Sequence, residues 1–217
     1  MEIKRLKISE LLKIIKQGGV VVFPTDTVYG LLADATNETA VKKIFKIKKR
    51  SEEKPIPLFV KDIEMAKKFA FINKKQEDFL KMVWSTRQNF LGEARKPELV
   101  KISPKIWAGK GKVTVVLKRK QNCGLPKIVF GNKKTIGLRI PNFKLISLLL
   151  EKLNKPLTGT SANISGKPAS TKIREVLRQF KIAKEKPDLI LNYGDLKFSL
   201  PSLVIDLTGE TTRILRN

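Results

Sequence analysis

The side chains best suited to chemistry lie in a few short stretches, and the most informative one is basic: Lys48-Lys49-Arg50, with Lys54 close behind. At about 100° per residue, Ala40, Val41, Ile44 and Phe45 form one apolar arc of a helix; Lys48 falls inside it and Lys42, Lys43, Lys46 and Lys49 fall outside. A lysine on that arc must either snorkel to solvent or meet an anion. The rest of the run reads as a solvated helix end whose cations complement the helix dipole. Pro24-Thr25-Asp26-Thr27-Val28-Tyr29-Gly30 follows the apolar run Val20–Phe23 directly. Turn chemistry explains the Pro, Asp and Gly, yet hydroxyls at a strand end also stand where mixed-sheet proteins hold ligands.

Ser161-Ala162-Asn163-Ile164-Ser165-Gly166 offers hydroxyl, amide and backbone donors just after a strand-like segment. Such a loop can approach phosphates closely, or it is an ordinary Ser/Asn/Gly connection. It has no GxxxxGK[ST] spacing and the glycines form no dinucleotide fingerprint, so a nucleotide bound here uses another architecture. Arg139, in Gly137-Leu138-Arg139-Ile140-Pro141, shares a strand face with Gly137 and not with Leu138 or Ile140. It is either solvent-facing or a bidentate clamp for a carboxylate or phosphate.

The totals exclude several chemistries. The 217 residues include no histidine and one cysteine, Cys123, which removes His-based triads, imidazole proton shuttles, His-ligated zinc, internal disulfides and Cys-cluster metal sites. A 41% hydrophobic content fits a globular chain. The formal charge of +25 fits RNA, a polyanionic small substrate, or simply a Lys-rich surface, since the lysines are spread throughout. The N-terminal MEIKRLKISELLKIIKQGG is too polar for a signal peptide, and no apolar run approaches about 18 residues, so a cytoplasmic protein with no membrane association is expected.

Regular elements must position these stretches. Ser9 caps a short helix stopped by Gly18-Gly19, which leads into a strand at Val20. The stretch Val20–Val60 reads as strand, polar turn, helix, basic loop, strand. Helices follow over residues 61–69 and 74–84, then a weakly periodic, insertion-like segment at about 85–111. Lys112–Lys118 and Lys134–Ile140 read as strands, Asn142 as the cap of a helix reaching Leu153, and Leu157–Thr160 as one short strand. A helix to about Phe180 and closing strands at 189–191, 203–207 and 213–215 complete the chain. Strands and helices interleave irregularly, which predicts a single α/β (α+β) domain over residues 1–217, built on one twisted mixed sheet with packed helices.

Taken together, Phe23–Gly30, Lys48-Lys49-Arg50, Arg139-Ile140-Pro141, Thr160–Gly166, Pro201-Ser202 and Ile214-Leu215-Arg216 resemble the YrdC/Sua5 family of L-threonylcarbamoyladenylate synthases. The family's Lys-x-Arg and Ser-x-Asn signatures appear as Lys48/Arg50 and Ser161/Asn163. The resemblance implies a deep, basic cavity in which L-threonine, bicarbonate and ATP give threonylcarbamoyl-AMP and pyrophosphate. That product serves t6A modification at adenosine 37 of tRNA, with other proteins transferring the group downstream. Carried over residue by residue, Thr27, Arg139 and Ser202 match threonine positions, with Phe59 packing against that substrate. Arg50, Thr135, Ser161, Asn163, Thr171 and Arg216 match nucleotide positions, and Lys54 could add a phosphate contact. Lys48 and Arg50 are the expected charge-stabilising cations, with Mg2+ carried on the phosphates.

Some positions depart from the family pattern: Lys54 for a usual asparagine, Phe59 for a histidine in some members, Ser51 for a frequent proline and Leu203 for a threonine. The chain stops at Asn217, so the resemblance is to the short, YrdC-like form without the C-terminal Sua5 domain. The contrasting reading, motivated by the net charge, is an RNA-binding module of the same fold without synthase activity.

Overall fold

Val20–Phe23 is apolar at every position because both faces of its strand are covered. Val20 and Val22 join one core, Val21 and Phe23 another, and all four are inaccessible to solvent. The computed structural model, which describes residues 8–84 and 112–216, places α1 (Ile8–Lys16) before β1 (Val21–Phe23). The chain returns as β2 (Gly30–Leu32), antiparallel to β1 with Val22 opposite Leu31. The sequence reading runs from the turn straight into the helix and misses β2. Its three residues are all buried, so they show no alternation that separates strand from turn.

Helix α2 (Glu38–Lys48) begins at Asn37, whose side chain accepts the Ala40 N–H, and ends at Lys49 in the left-handed region with φ 50°. Its buried side includes Ala40, Val41, Ile44, Phe45 and Lys48, the arc that the periodicity predicts, while Lys49 is exposed. β3 (Leu58–Phe59), α3 (Ile63–Phe69) and α4 (Lys74–Trp84) follow. The insertion-like segment expected at about 85–111 lies outside the described residues. Beyond it come β4 (Val113–Lys118), a 3-10 turn (Lys127–Val129), β5 (Thr135–Arg139) and α5 (Lys144–Leu153). Asn142 does not cap α5 as expected. The N-cap is Phe143 without a side-chain bond, and the Asn142 N–H donates to Asp26 Oδ2 at 3.2 Å. The remaining elements are β6 (Leu157–Thr158), β7 (Thr160–Ser161), α6 (Ile173–Lys181), β8 (Leu189–Ile190), β9 (Leu203–Asp206) and β10 (Arg213–Arg216).

The mixed α/β character is as expected, but the strands of the described residues form two sheets where one twisted sheet was expected. Their orders are β7-β2-β1-β8 and β10-β9-β4-β5-β3-β6, each with parallel and antiparallel pairs. The division falls at Gly159, inside the segment read as one strand. Leu157 and Thr158 pair with β3, whereas Thr160 and Ser161 pair with β2. Thr158 ties the sheets together, its Oγ1 donating to Leu31 O at 3.1 Å and accepting the Ala33 N–H at 3.0 Å.

Alternation along the strands decides which face of the larger sheet is covered. Val113, Val115 and Leu117 of β4 and Ile136 and Leu138 of β5 pack with Met65, Phe69 and Leu80 from α3 and α4. The other face of the same strands carries Thr114, Val116, Thr135, Gly137 and Arg139, and these border a cavity. In the smaller sheet, Val21, Phe23 and Leu32 pack against Leu11 and Ile15 of α1 and Ile146, Leu149 and Leu150 of α5. Among the described residues, no helix is long and apolar enough to cross a membrane.

Candidate substrate cavity

The cavity, about 450 Å³, lies between that face of the six-stranded sheet and the Thr25–Gly30 turn with β7. Arg139 borders the cavity at 3% exposure. One Nη2–H donates to Asp26 Oδ2 at 2.6 Å, and the guanidinium lies 5.7 Å from the Phe59 ring centroid. Burial pushes the Arg139 guanidinium below its ordinary value, and the Asp26 carboxylate opposes that shift. Asp26 Oδ1 and Arg139 Nε are buried without a hydrogen-bond partner. The strand-face expectation holds, since Gly137 and Arg139 share the cavity side and Leu138 the core, so Arg139 faces a cavity and not bulk solvent.

Thr27 also borders the cavity, and its hydroxyl has a defined polarity. Thr25 Oγ1 donates to Val28 O at 2.6 Å, so in its 3.1 Å contact with Thr27 Oγ1 the latter is the donor. Thr27 therefore presents acceptor lone pairs to a ligand amine or hydroxyl. Phe59 lies beneath Gly159, where a Cβ would come within 3.1 Å of the ring, so a larger residue there would press on Phe59. Ser202, with Thr114 Oγ1 at 3.1 Å, also borders the cavity.

Arg50, Thr135, Ser161 and Arg216 also contribute to the wall, with Arg216 bonded to Ser202 and close enough for its charge to lower the Arg139 guanidinium further. Arg50 is held by the carbonyls of Lys54 at 3.4 Å and Pro55 at 3.0 Å, and Arg216 by Ser202 O at 2.9 Å and Oγ at 3.1 Å. Burial lowers both guanidinium pKa values, yet arginine stays charged at any physiological pH. Among the described residues Arg50, Arg139 and Arg216 thus line the cavity from separate parts of the chain, a field suited to carboxylate and phosphate groups.

Four residues singled out in the sequence do not border the cavity. Lys54 is exposed, and its carbonyl, not its side chain, meets Arg50. Thr171 is half-buried, with its carbonyl accepting the Leu196 N–H at 2.9 Å. Asn163 turns its amide inward: Oδ1 accepts from Ser161 Oγ and from Lys48 Nζ, and Nδ2 donates to Lys167 O. Lys48 is 2% exposed and behind the wall. Burial, and after it the Arg50 charge, pushes its ammonium down to about 7.

Sequence reasoning did not single out Asp26, Thr114, Gly159 or Thr160 as site residues. The Asp26–Arg139 pair spans 113 positions and left no local signal. The alternation of Thr114 between Val113 and Val115 could have marked a strand face turned away from the core.

Comparison with known proteins gives a consistent placement. The Sua5/YciO/YrdC family profile, described as "Telomere recombination", matches residues 13–105 and 90–217. A Methanocaldococcus jannaschii protein provisionally named threonylcarbamoyl-AMP synthase is 35% identical over 96% of this chain and 84% of its own length. The threonylcarbamoyl-AMP synthase of Pyrococcus abyssi is 30% identical over 99% of this chain, which spans 54% of that relative. The crystal structure of P. abyssi Sua5 complexed with L-threonine superposes with a TM-score of 0.76 at 29% identity, covering 98% of this chain and 55% of that one. This chain therefore belongs to the Sua5/YciO/YrdC family.

Proposed function

We propose that the cavity condenses L-threonine, bicarbonate and ATP into threonylcarbamoyl-AMP with release of pyrophosphate. The observation that carries this reading is the convergence in one cavity of Thr27, Phe59, Arg139 and Ser202 with Arg50, Thr135, Ser161 and Arg216. These are most of the positions that the family resemblance assigns to threonine and to the nucleotide. The relatives named threonylcarbamoyl-AMP synthase support it from outside.

The chemistry follows from the groups present. Arg139 takes the amino-acid carboxylate, and Thr27 Oγ1 accepts from the amine. The unprotonated amine attacks the bicarbonate carbon, water leaves, and an N-carboxylate forms. One of its oxygens then attacks the α-phosphorus of ATP, and pyrophosphate departs with the electron pair of the broken P–O bond. Both partners in that step are anions, so Arg50 and Arg216 reduce their repulsion and hold them in line without any histidine. Magnesium is expected with the phosphates. Among the described residues no group of three or more Cys, Asp or Glu comes together to hold a metal, and the phosphates and water would supply its ligands. A cytoplasmic setting, transfer of the product to tRNA by other proteins, and direct RNA contact belong to the same proposal.

The test is pyrophosphate release by the purified protein with ATP and magnesium, with and without threonine and 13C-bicarbonate. Release that requires both, with the label in a threonylcarbamoyl adenylate, is expected. Salt-sensitive RNA binding with no nucleotide turnover would instead favour the RNA-binding alternative.

A further inference from the structure

The Ser161–Ser165 segment is held at its ends through its backbone, Ser161 pairing with Gly30 of β2, the Ala162 N–H donating to Tyr29 O at 2.7 Å and the Ile164 N–H to Gln179 Oε1 at 3.0 Å, and Lys48 adds a cluster of bonds from one side chain. Lys48 Nζ donates to Ser161 O at 2.5 Å, Asn163 O at 2.8 Å and Asn163 Oδ1 at 3.0 Å, while Lys48 O accepts the Ser165 N–H at 2.7 Å. An ammonium has three N–H donors and no acceptor, so every donor is committed to this loop. The oxygens it satisfies are inward-facing dipoles that would be costly to bury unpaired. Ser161, at the start of this segment, borders the cavity, and Lys48 does not.

We propose that Lys48 is a positioning residue, fixing the loop that carries Ser161 into the wall, and does not contact the phosphates of a bound nucleotide. The structural part is independent of the activity assigned above; the consequence for binding rests on the cavity being a nucleotide site.

Lys48→Met tests both parts. In the ligand-free variant, amide exchange at residues 163–167 accelerates by about tenfold or more while β4 and β5 amides keep their protection. Affinities for adenosine and for ATP both fall by one common factor, about ten- to a hundredfold. In turnover that factor enters KM for ATP, with kcat at saturation held within about twofold. A variant that loses ATP affinity but keeps adenosine affinity and loop protection overturns the proposal, because only a phosphate contact separates those ligands. Unchanged loop exchange overturns it as well. If the wild type binds neither adenosine nor ATP, the nucleotide reading fails, and the exchange measurement still decides the positioning role. If Lys48→Met does not fold, Asn163→Ala removes one acceptor from the same cluster and is expected to give a smaller effect of the same pattern. Its failure to loosen the loop overturns the proposal.

Discussion

Arg139 and Lys48 are almost equally buried, 3% and 2% exposed, but they meet different company. Arg139 has a carboxylate partner, Asp26, and its planar guanidinium still borders the cavity. Lys48 has three neutral oxygens, no counter-charge among its bonding partners, and its donors are all consumed. A forked cation can serve a structural partner and a ligand together, whereas a saturated ammonium serves one. Burial and charge alone therefore do not identify a ligand-binding cation; the direction of the donors does.

The largest effect that separates the two is expected at Arg139. Arg139→Met leaves the buried Asp26 carboxyl without its cation, and denaturant unfolding should show a loss of about 3–5 kcal/mol. Adding Asp26→Asn should restore most of it, and a full loss in the double variant would break the pairing account. Lys48→Met leaves only dipoles unpaired, so its cost should be smaller, about 1.5–3 kcal/mol. A cost equal to that of Arg139→Met would erase the distinction. Gly159→Ala brings a Cβ to 3.1 Å from the Phe59 ring and should cost about 1 kcal/mol. It should also raise KM for threonine without changing KM for ATP.

A further contrast, read as a direction, is in the pH dependence of Lys48. Its ammonium is pushed down to about 7 in the folded chain, against about 10.4 when unfolded. Between those values the unfolded state binds more protons, so the Lys48 contribution to stability rises with pH, by at most about 1.4 kcal/mol per unit. The unfolding free energy of wild type minus that of Lys48→Met should therefore be larger at about pH 9 than at about pH 6; a decrease would contradict the assigned shift.

Local periodicity carried part of this picture. The arc that holds Lys48 followed from helical spacing, and the opposed faces of Leu138 and Arg139 followed from strand alternation. The grouping of Thr27, Arg50, Arg139, Ser161 and Arg216 came from ordered motifs that no single stretch explains. Contacts between distant segments stayed hidden. Nothing local told that Asp26 neutralises Arg139, or that Lys48 is satisfied by backbone oxygens, which have no residue type to read. Likewise Leu157–Thr160 looked continuous because pairing partners, not propensity, divide it at Gly159.

The assignment of Arg139 to an amino-acid carboxylate is tested most directly by comparing threonine with threoninol, its alcohol analogue, in wild type and in Asp26→Asn/Arg139→Met. Pyrophosphate release by wild type should prefer threonine by about a hundredfold or more in kcat/KM, and the double variant should lose that preference. A double variant that still prefers threonine as strongly as wild type would show that Arg139 does not read the carboxylate.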